Sequence, residues 1–337
     1  MPARILGVEY HLPEKIETNE DLAKENPEWQ MTKINAKSGI RARRIAAEDE
    51  TASDLGYQAA RKLLDREIVD VDTIDFLLLC TQCPDHYLPS AACTLQHRLG
   101  LGKHTGALDF NLGCSGYVYG LYMAKNFVQS GSMRNVLLIT ADTYTKYINP
   151  KDRTVRTLFG DGAAATLIGA DGNGRGIIDE FILGTDGAGT NDLIVPSGCL
   201  RVPQSDETSQ EFTDTSGCVR SRDNLFMDGH AVYSFAINTV PRTIEALLKK
   251  TRLAKDDIDW FVYHQANKFM LCDLAKESQI PWKKVSLFMK DVGNTVSSSI
   301  PITLANQITT KKIKPGQKAM LIGFGVGYSW GACIIDW

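Results

Sequence analysis

Three residues of this 337-residue chain have side chains and settings from which chemistry could start: Cys114 in "GCSG", His264 in "HQAN" and Asn294 in "GNT". A thiolate attacks carbonyl carbon, an imidazole gives or takes a proton near neutral pH, and a primary amide is a neutral donor that cannot act as a base. Singly, each has a plainer role. Cysteine is among the most buried residue types, a lone histidine at a sheet edge is often a structural hydrogen-bonder, and asparagine suits a turn or a helix cap. Their shared position at the ends of matched elements is what sets them apart.

Around Cys114, the apolar stretch that ends over Asp109 to Leu112 reads as a strand, and Tyr117, Leu121, Ala124 and Val128 then recur at helical spacing. Cys114 falls at a strand-to-helix turn. Gly113 and Gly116 permit a tight turn and close approach of another backbone, and the helix terminus is expected to lower the thiol pKa. His264 ends the strand pattern "IDWFVYH" and opens the helical pattern "QANKFMLCDLAKE". Asn294 lies in the turn "DVGNT".

These ends belong to an internal repeat. "LLDREIVDVDTIDFLLLC" (63–80) matches "LLKKTRLAKDDIDWFVYH" (247–264) at an offset of 247 − 63 = 184. "FNLGCSGYVYGLYMAKNFV" matches "KDVGNTVSSSIPITLANQI" and sets Cys114 opposite Asn294, an offset of 294 − 114 = 180. "NVLLIT" (135–140) and "KAMLIG" (318–323) follow as paired strands. Three matches in order predict a duplicated α/β unit, with halves 1–175 and 176–337, in which equivalent strand ends meet at the centre. The stretch "GADGNGRG" and the polar "PQSDETSQEFTDTSGCVRSRDN" interrupt the pattern near the boundary, and the second reads as a long loop over a site.

Composition narrows the function class. With 43% hydrophobic and 23% charged residues the chain is globular with ample core, and a net charge of −3 argues against a nucleic-acid binder. "RARR", "KKTRLAK" and "KKIK" read as solvated faces. The N-terminus lacks a signal-like pattern, and "AMLIGFGVGYSWGACII" is short and Gly-rich for a spanning helix, so paired buried strands are expected there. Eight cysteines without regular spacing point to reduced thiols and a cytoplasmic, non-membrane protein. "CTQC" at 80–83 lacks the second pair of a metal site, and "GNGRG" at 172–176 opens no dinucleotide-binding helix, so neither a metal nor a cofactor is expected.

Together with "FGDGAAA" (159–165) and "GFGVGYSWG" (323–331), these motifs closely resemble β-ketoacyl-acyl-carrier-protein synthase III of the thiolase-fold condensing enzymes. The resemblance runs from "GIRARRIA" and "LPSAAC" to the C-terminal strand. It implies an α/β thiolase fold, five-layered αβαβα, and a homodimer that uses acyl-CoA and an acyl carrier protein as substrates. Relatives pair the Cys and His with a second Cys, a second His or a Glu; this chain has Asn294. An amide donor suits an enolate formed by loss of CO₂, hence decarboxylative Claisen condensation.

On that resemblance Cys114 carries the acyl group, the backbone N–H groups of Cys114 and Val326 form the oxyanion hole, and His264 and Asn294 bind the malonyl thioester carbonyl. Gly229, Tyr233, Ala266 and Asn267 match the pantetheine tunnel, Phe324 a substrate contact in the Gly-rich loop, and Arg153 a contact to the nucleotide end of CoA. Leu88 stands where an aromatic residue often reaches into the other protomer's acyl pocket. There are departures. "EWQMTKINAKSGI" is longer than usual, so Trp29 and Lys33 compete for the place that stacks on adenine; Phe269 replaces a basic carrier contact beside Lys268, and Val326 replaces a glycine.

Other readings stay open at this point. An acyltransferase of the same fold would pass the acyl group to a hydroxyl or amine. A papain-like hydrolase shares the order Cys, His, Asn but lacks the "CGSCW" signature and leaves the repeat unexplained. A non-catalytic subunit would be expected to have lost one of the three.

Overall fold

The computed structural model describes residues 1–170 and 176–337. The first unit includes β1 (Arg4–His11), α1 (Ala52–Leu64), β2 (Ile74–Cys80), α2 (Ala91–Arg98), β3 (Gly106–Phe110), α3 (Gly116–Gln129), β4 (Asn135–Asp142) and β5 (Gly162–Gly169). The second runs through β6 (Ile177–Thr185), α4 (Gly229–Thr251), β7 (Trp260–Tyr263), α5 (Lys268–Glu277), α6 (Ser299–Thr309), β8 (Lys318–Gly325) and β9 (Ser329–Asp336).

Both units wire their strands alike. In the first, β1 pairs antiparallel with β5, β5 antiparallel with β4, β4 parallel with β2, and β2 parallel with β3. In the second, β6 pairs antiparallel with β9, β9 antiparallel with β8, and β8 parallel with β7. Where the fifth strand would lie, Val285 makes one parallel bridge to Phe261. The two sheets join at the single pair Arg4–Ile177.

Side-chain alternation explains why the central strands read as unbroken apolar runs. Val136 and Leu138 of β4, like Ala319 and Leu321 of β8, join the core around α3 and α6. Leu137, Ile139, Met320 and Ile322 point the other way, toward the outer helices. Helices α3 and α6 each pack on strands of both units, whereas α1 and α2 cover the first sheet and α4 the second, with α5 against α4. The result is the five-layered αβαβα order. Each fully buried Leu or Ile contributes roughly 1.5–3 kcal/mol to holding these layers together.

The repeat holds, with one correction. The shared "Ile-Asp" does the same job twice: Asp75 accepts the N–H of Arg134 (2.6 Å) just before β4, and Asp259 accepts that of Lys318 (2.9 Å) at the start of β8. Here the offset of 184 stands, since 259 − 75 and 318 − 134 both equal it. The offset of 180 does not. Helices α3 and α6 begin 299 − 116 = 183 residues apart and β4 and β8 begin 318 − 135 = 183 apart. By register the mate of Cys114 is therefore Ser297. Asn294 lies three residues upstream because an added 3₁₀ turn, Val296–Ser298, precedes α6.

β3 stops at Phe110, two residues short of the expected Leu112. The apolar C-terminal stretch is the antiparallel pair β8–β9. Residues 171–175, which include most of "GNGRG" and the expected boundary between halves, lie outside those described. The long polar stretch is pinned down: Arg220 donates to Asp152 (2.6 Å) and Asp214, and Phe226–Met227 pairs with Leu193–Ile194.

Candidate active site

Cys114 sits two residues before α3, buried, with the Gly-rich loop pressed against it. A Cβ at Gly325 would come within 2.9 Å of its sulfur, and one at Gly113 within 2.7 Å of Val326 Cγ1. Only glycines allow this approach. Ser115 and Ser329 share a 2.6 Å hydrogen bond, and Ser329 donates to the Val326 carbonyl (2.9 Å), which ties the nucleophile turn to the loop. The backbone N–H groups of Cys114 and Val326 favour the Cys114 thiolate. Burial outweighs them, with the Asp142 carboxylate adding to it, and the thiol is pushed up to about 12. The expected lowering at the helix terminus is thus overridden: desolvation of the charged form wins.

His264 follows β7, and its N–H donates to the Ile322 carbonyl (2.7 Å). Its ring meets Phe324 edge-on, with centroids 5.6 Å apart. Burial depresses its pKa to about 3, against a raising contact with the Val296 backbone, so the imidazole is neutral. Asn294 is gripped from both sides, its N–H donating to the Leu158 carbonyl (2.9 Å) and its carbonyl accepting from Gly160 (3.0 Å). This pairing is what "FGDG" contributes, since a Cβ at Gly160 would lie 2.4 Å from the Val292 carbonyl. Asp161 of that motif is structural and accepts from the N–H groups of Ala46 (2.8 Å) and Thr145 (3.1 Å). Asn294 Oδ1 accepts the Val296 N–H (3.0 Å), which turns Nδ2 toward His264 Nε2, 3.4 Å away.

The three residues share one cavity of about 640 Å³. Its lining also contains Phe324, Arg153, Gly229, Tyr233, Ala266 and Asn267, all expected there. Val326 does not line it. Leu88 is elsewhere, 81% exposed on the surface. Neither competitor for the adenine position fits: Trp29 is buried against Leu22 and Met31, and Lys33 is absent from the lining. Ile34, Lys37 and Ser38, one face of the helix Met31–Ser38, stand there instead. Their i, i+3, i+4 spacing within the lengthened segment was the signal that could have found them.

Two of the three departures from the family pattern, the lengthened segment and Phe269, meet at this mouth. Phe269, 43% exposed, stacks on Tyr233 (centroids 5.8 Å) and carries Lys37 Nζ 5.0 Å above its ring. Tyr233 in turn donates to Asp273 (2.8 Å). Sequence reasoning also missed Asp142, a buried carboxylate raised to about 7 by desolvation, which accepts from Gln82 N–H (2.8 Å) and Ser297 N–H (3.2 Å). Among the described residues no cluster of three His, Cys, Asp or Glu could hold a metal, and no helix is long and apolar enough to cross a membrane.

Comparison with known proteins agrees with this geometry. Family models described as 3-oxoacyl-[acyl-carrier-protein] synthase III and its C-terminal part match residues 108–187 and 248–337. The chain is 38% identical to β-ketoacyl-[acyl-carrier-protein] synthase III 2 of Halalkalibacterium halodurans, over 99% of this chain and 96% of that one. A crystal structure of a 3-oxoacyl-(acyl-carrier-protein) synthase III superposes with a TM-score of 0.97 at 50% identity, covering all of both chains. The synthase from Burkholderia xenovorans LB400 gives 0.91 at 35% identity, covering 99% of this chain and 94% of that one. The chain belongs to the β-ketoacyl-acyl-carrier-protein synthase III family of thiolase-fold condensing enzymes.

Proposed function

We propose that this enzyme condenses an acyl-CoA primer with malonyl-ACP, releasing CO₂ and forming a β-ketoacyl-ACP through an acyl-Cys114 intermediate. Cys114 Sγ bonds to the acyl carbon, the carbon–sulfur bond to CoA breaks, and the thiol proton ends on the CoA sulfur. The N–H groups of Cys114 and of Val326, which follows the Gly325 pressed against the sulfur, hold the tetrahedral oxyanion. Malonyl-ACP then enters with its thioester carbonyl between His264 and Asn294. Loss of CO₂ leaves the electron pair on an enolate, which attacks the acyl carbon; Cys114 departs as thiolate and takes up a proton.

The observation that carries this reading is the pair of nitrogens, His264 Nε2 and Asn294 Nδ2, 3.4 Å apart in the cavity that holds Cys114. Two donors so placed converge on one oxygen and stabilise the negative charge that decarboxylation creates there. The test is CO₂ release from malonyl-ACP on mixing with enzyme and acyl-CoA, measured beside the mass added at Cys114. Acylation without CO₂ release would transfer the case to the acyltransferase that passes its acyl group to a hydroxyl or amine.

Arg153 at the mouth suits the nucleotide end of CoA, and Gly229, Tyr233, Ala266 and Asn267 suit the pantetheine arm. A homodimer is supported by the surface around Leu88: Tyr87 is 75% exposed beside it, and β3 is a sheet edge among the described strands. In that dimer Leu88 of one copy closes the acyl pocket of the other. The repeated wiring supports a division into halves 1–175 and 176–337. No cofactor enters the chemistry, and eight free thiols suit the reducing cytoplasm.

A further inference from the structure

We infer that Ser299 is a positioning residue that fixes which ring nitrogen of His264 carries the proton, and so decides whether the site presents two donors to the enolate. This rests on the condensation proposed above. Ser299 opens α6 and is 2% exposed. Its Oγ lies 2.7 Å from His264 Nδ1 and accepts the N–H of Gln265 at 3.3 Å. These are the hydroxyl's hydrogen-bond partners among the described residues. Among the described residues Nδ1 is the one acceptor in reach of the hydroxyl's own proton, so that proton goes to Nδ1.

The consequence follows from counting protons. A neutral imidazole has one N–H, so a ring that accepts at Nδ1 carries its proton on Nε2. That nitrogen faces Asn294 Nδ2, whose Oδ1 is held by Val296. Two N–H groups facing one another cannot satisfy each other, so neither is used up by the other and both can turn to a shared oxygen acceptor. In the opposite tautomer Nε2 is a lone pair: it accepts from Asn294, removes the ring donor and engages the amide. One hydroxyl separates the two outcomes.

The segment "NTVSSS" supports this division of labour. Val296 orients the amide, Ser297 donates to Asp142, Ser298 donates to the Thr140 carbonyl (2.9 Å), and Ser299 orients the imidazole. One short stretch thus sets both donors relative to the sheet ends.

The test uses Ser299→Ala and Ser299→Thr in the full-length enzyme. Ser299→Ala is expected to lower CO₂ release from malonyl-ACP at least about tenfold, part of the roughly 10²–10³ that removal of a whole donor costs. Acyl loading of Cys114 and KM for acyl-CoA stay near wild type, and Ser299→Thr restores most of the lost rate. Imidazole ¹⁵N resonances of His264 report the tautomer directly: Nε2–H in wild type, a mixture in Ser299→Ala. Wild-type CO₂ release in Ser299→Ala, equal loss of loading and condensation, or a wild-type His264 protonated on Nδ1 would each overturn the inference. If Ser299→Ala does not fold, the wild-type resonances and Ser299→Thr still decide it. A wild-type enzyme that releases no CO₂ yet shows Nε2–H would instead count against the condensation reading.

Discussion

Cys80 at the end of β2 in the first unit and His264 just past the end of β7 in the second occupy equivalent places, 264 − 80 = 184 residues apart, and they do different things. Across from each stands the first residue of a central helix, Gly116 of α3 and Ser299 of α6. A Cβ at Gly116 would come within 2.2 Å of Cys80 Sγ, so the helix closes directly over a thiol that donates to the Leu112 carbonyl (2.9 Å). Burial holds that thiol well above its ordinary range. In the second unit the same contact is a hydroxyl against an imidazole, and the added turn Val296–Ser298 leaves Asn294 beside the ring.

The two units are similar frames, and in the proposed condensation small local differences divide the reaction between them. On that reading the first unit holds the nucleophile, and backbone N–H groups from both units favour its thiolate. The second offers side-chain donors. In the proposed condensation, acylation belongs to the first frame and decarboxylation to the second.

The sharpest contrast between the frames is all-or-none. Cys114→Ala should abolish the acyl adduct with every donor, while Cys80→Ala still loads, read by intact-protein mass. An adduct that survives in Cys114→Ala would remove the assignment of the first frame. The next effect concerns how the nucleophile is activated. With its thiol raised by burial, the reactive thiolate fraction of Cys114 is small at neutral pH and grows as pH rises toward that pKa. Alkylation of Cys114 by iodoacetamide should climb about tenfold per pH unit between about pH 7 and about pH 9. A plateau that begins near neutrality would mean that the helix terminus prevails over desolvation. The smallest effect tests whether a second copy completes the site. Leu88→Phe should shift donor preference toward short chains, by about fourfold per methylene, the equivalent of about 0.8 kcal/mol. An unchanged chain-length profile, or a monomer in solution, would place Leu88 outside the acyl pocket.

Much of this was legible in the sequence because it rests on local pattern. The repeat, the strand-to-helix turn at Cys114 and the strand end at His264 follow from apolar spacing and glycine placement. The relation of Asn294 to Cys114 was misplaced because matching residues by type passed over a three-residue turn whose only trace is "VSS" before an apolar helix. The helix Met31–Ser38 buries little of its own surface, so its role in lining the mouth depends on packing against α5. Trp29 could not be placed for the same reason, since its burial against Leu22 and Met31 is a tertiary outcome. The thiol pKa was misjudged because helix termini are visible in sequence and desolvation is not.

The division of the reaction between the two frames is tested most directly by Asn294→Asp. The substitution keeps the shape but replaces the amide donor with an acceptor that repels an enolate when ionised. Quenched-flow measurement of acyl-Cys114 formation, with CO₂ release from malonyl-ACP followed in parallel, reads both halves. Acyl loading is expected within about tenfold of wild type, and CO₂ release lower by at least about 10²-fold, the cost of one missing donor. CO₂ release near the wild-type rate would show that Asn294 is not the donor that stabilises the enolate, and the separation of acylation from decarboxylation would fall with it.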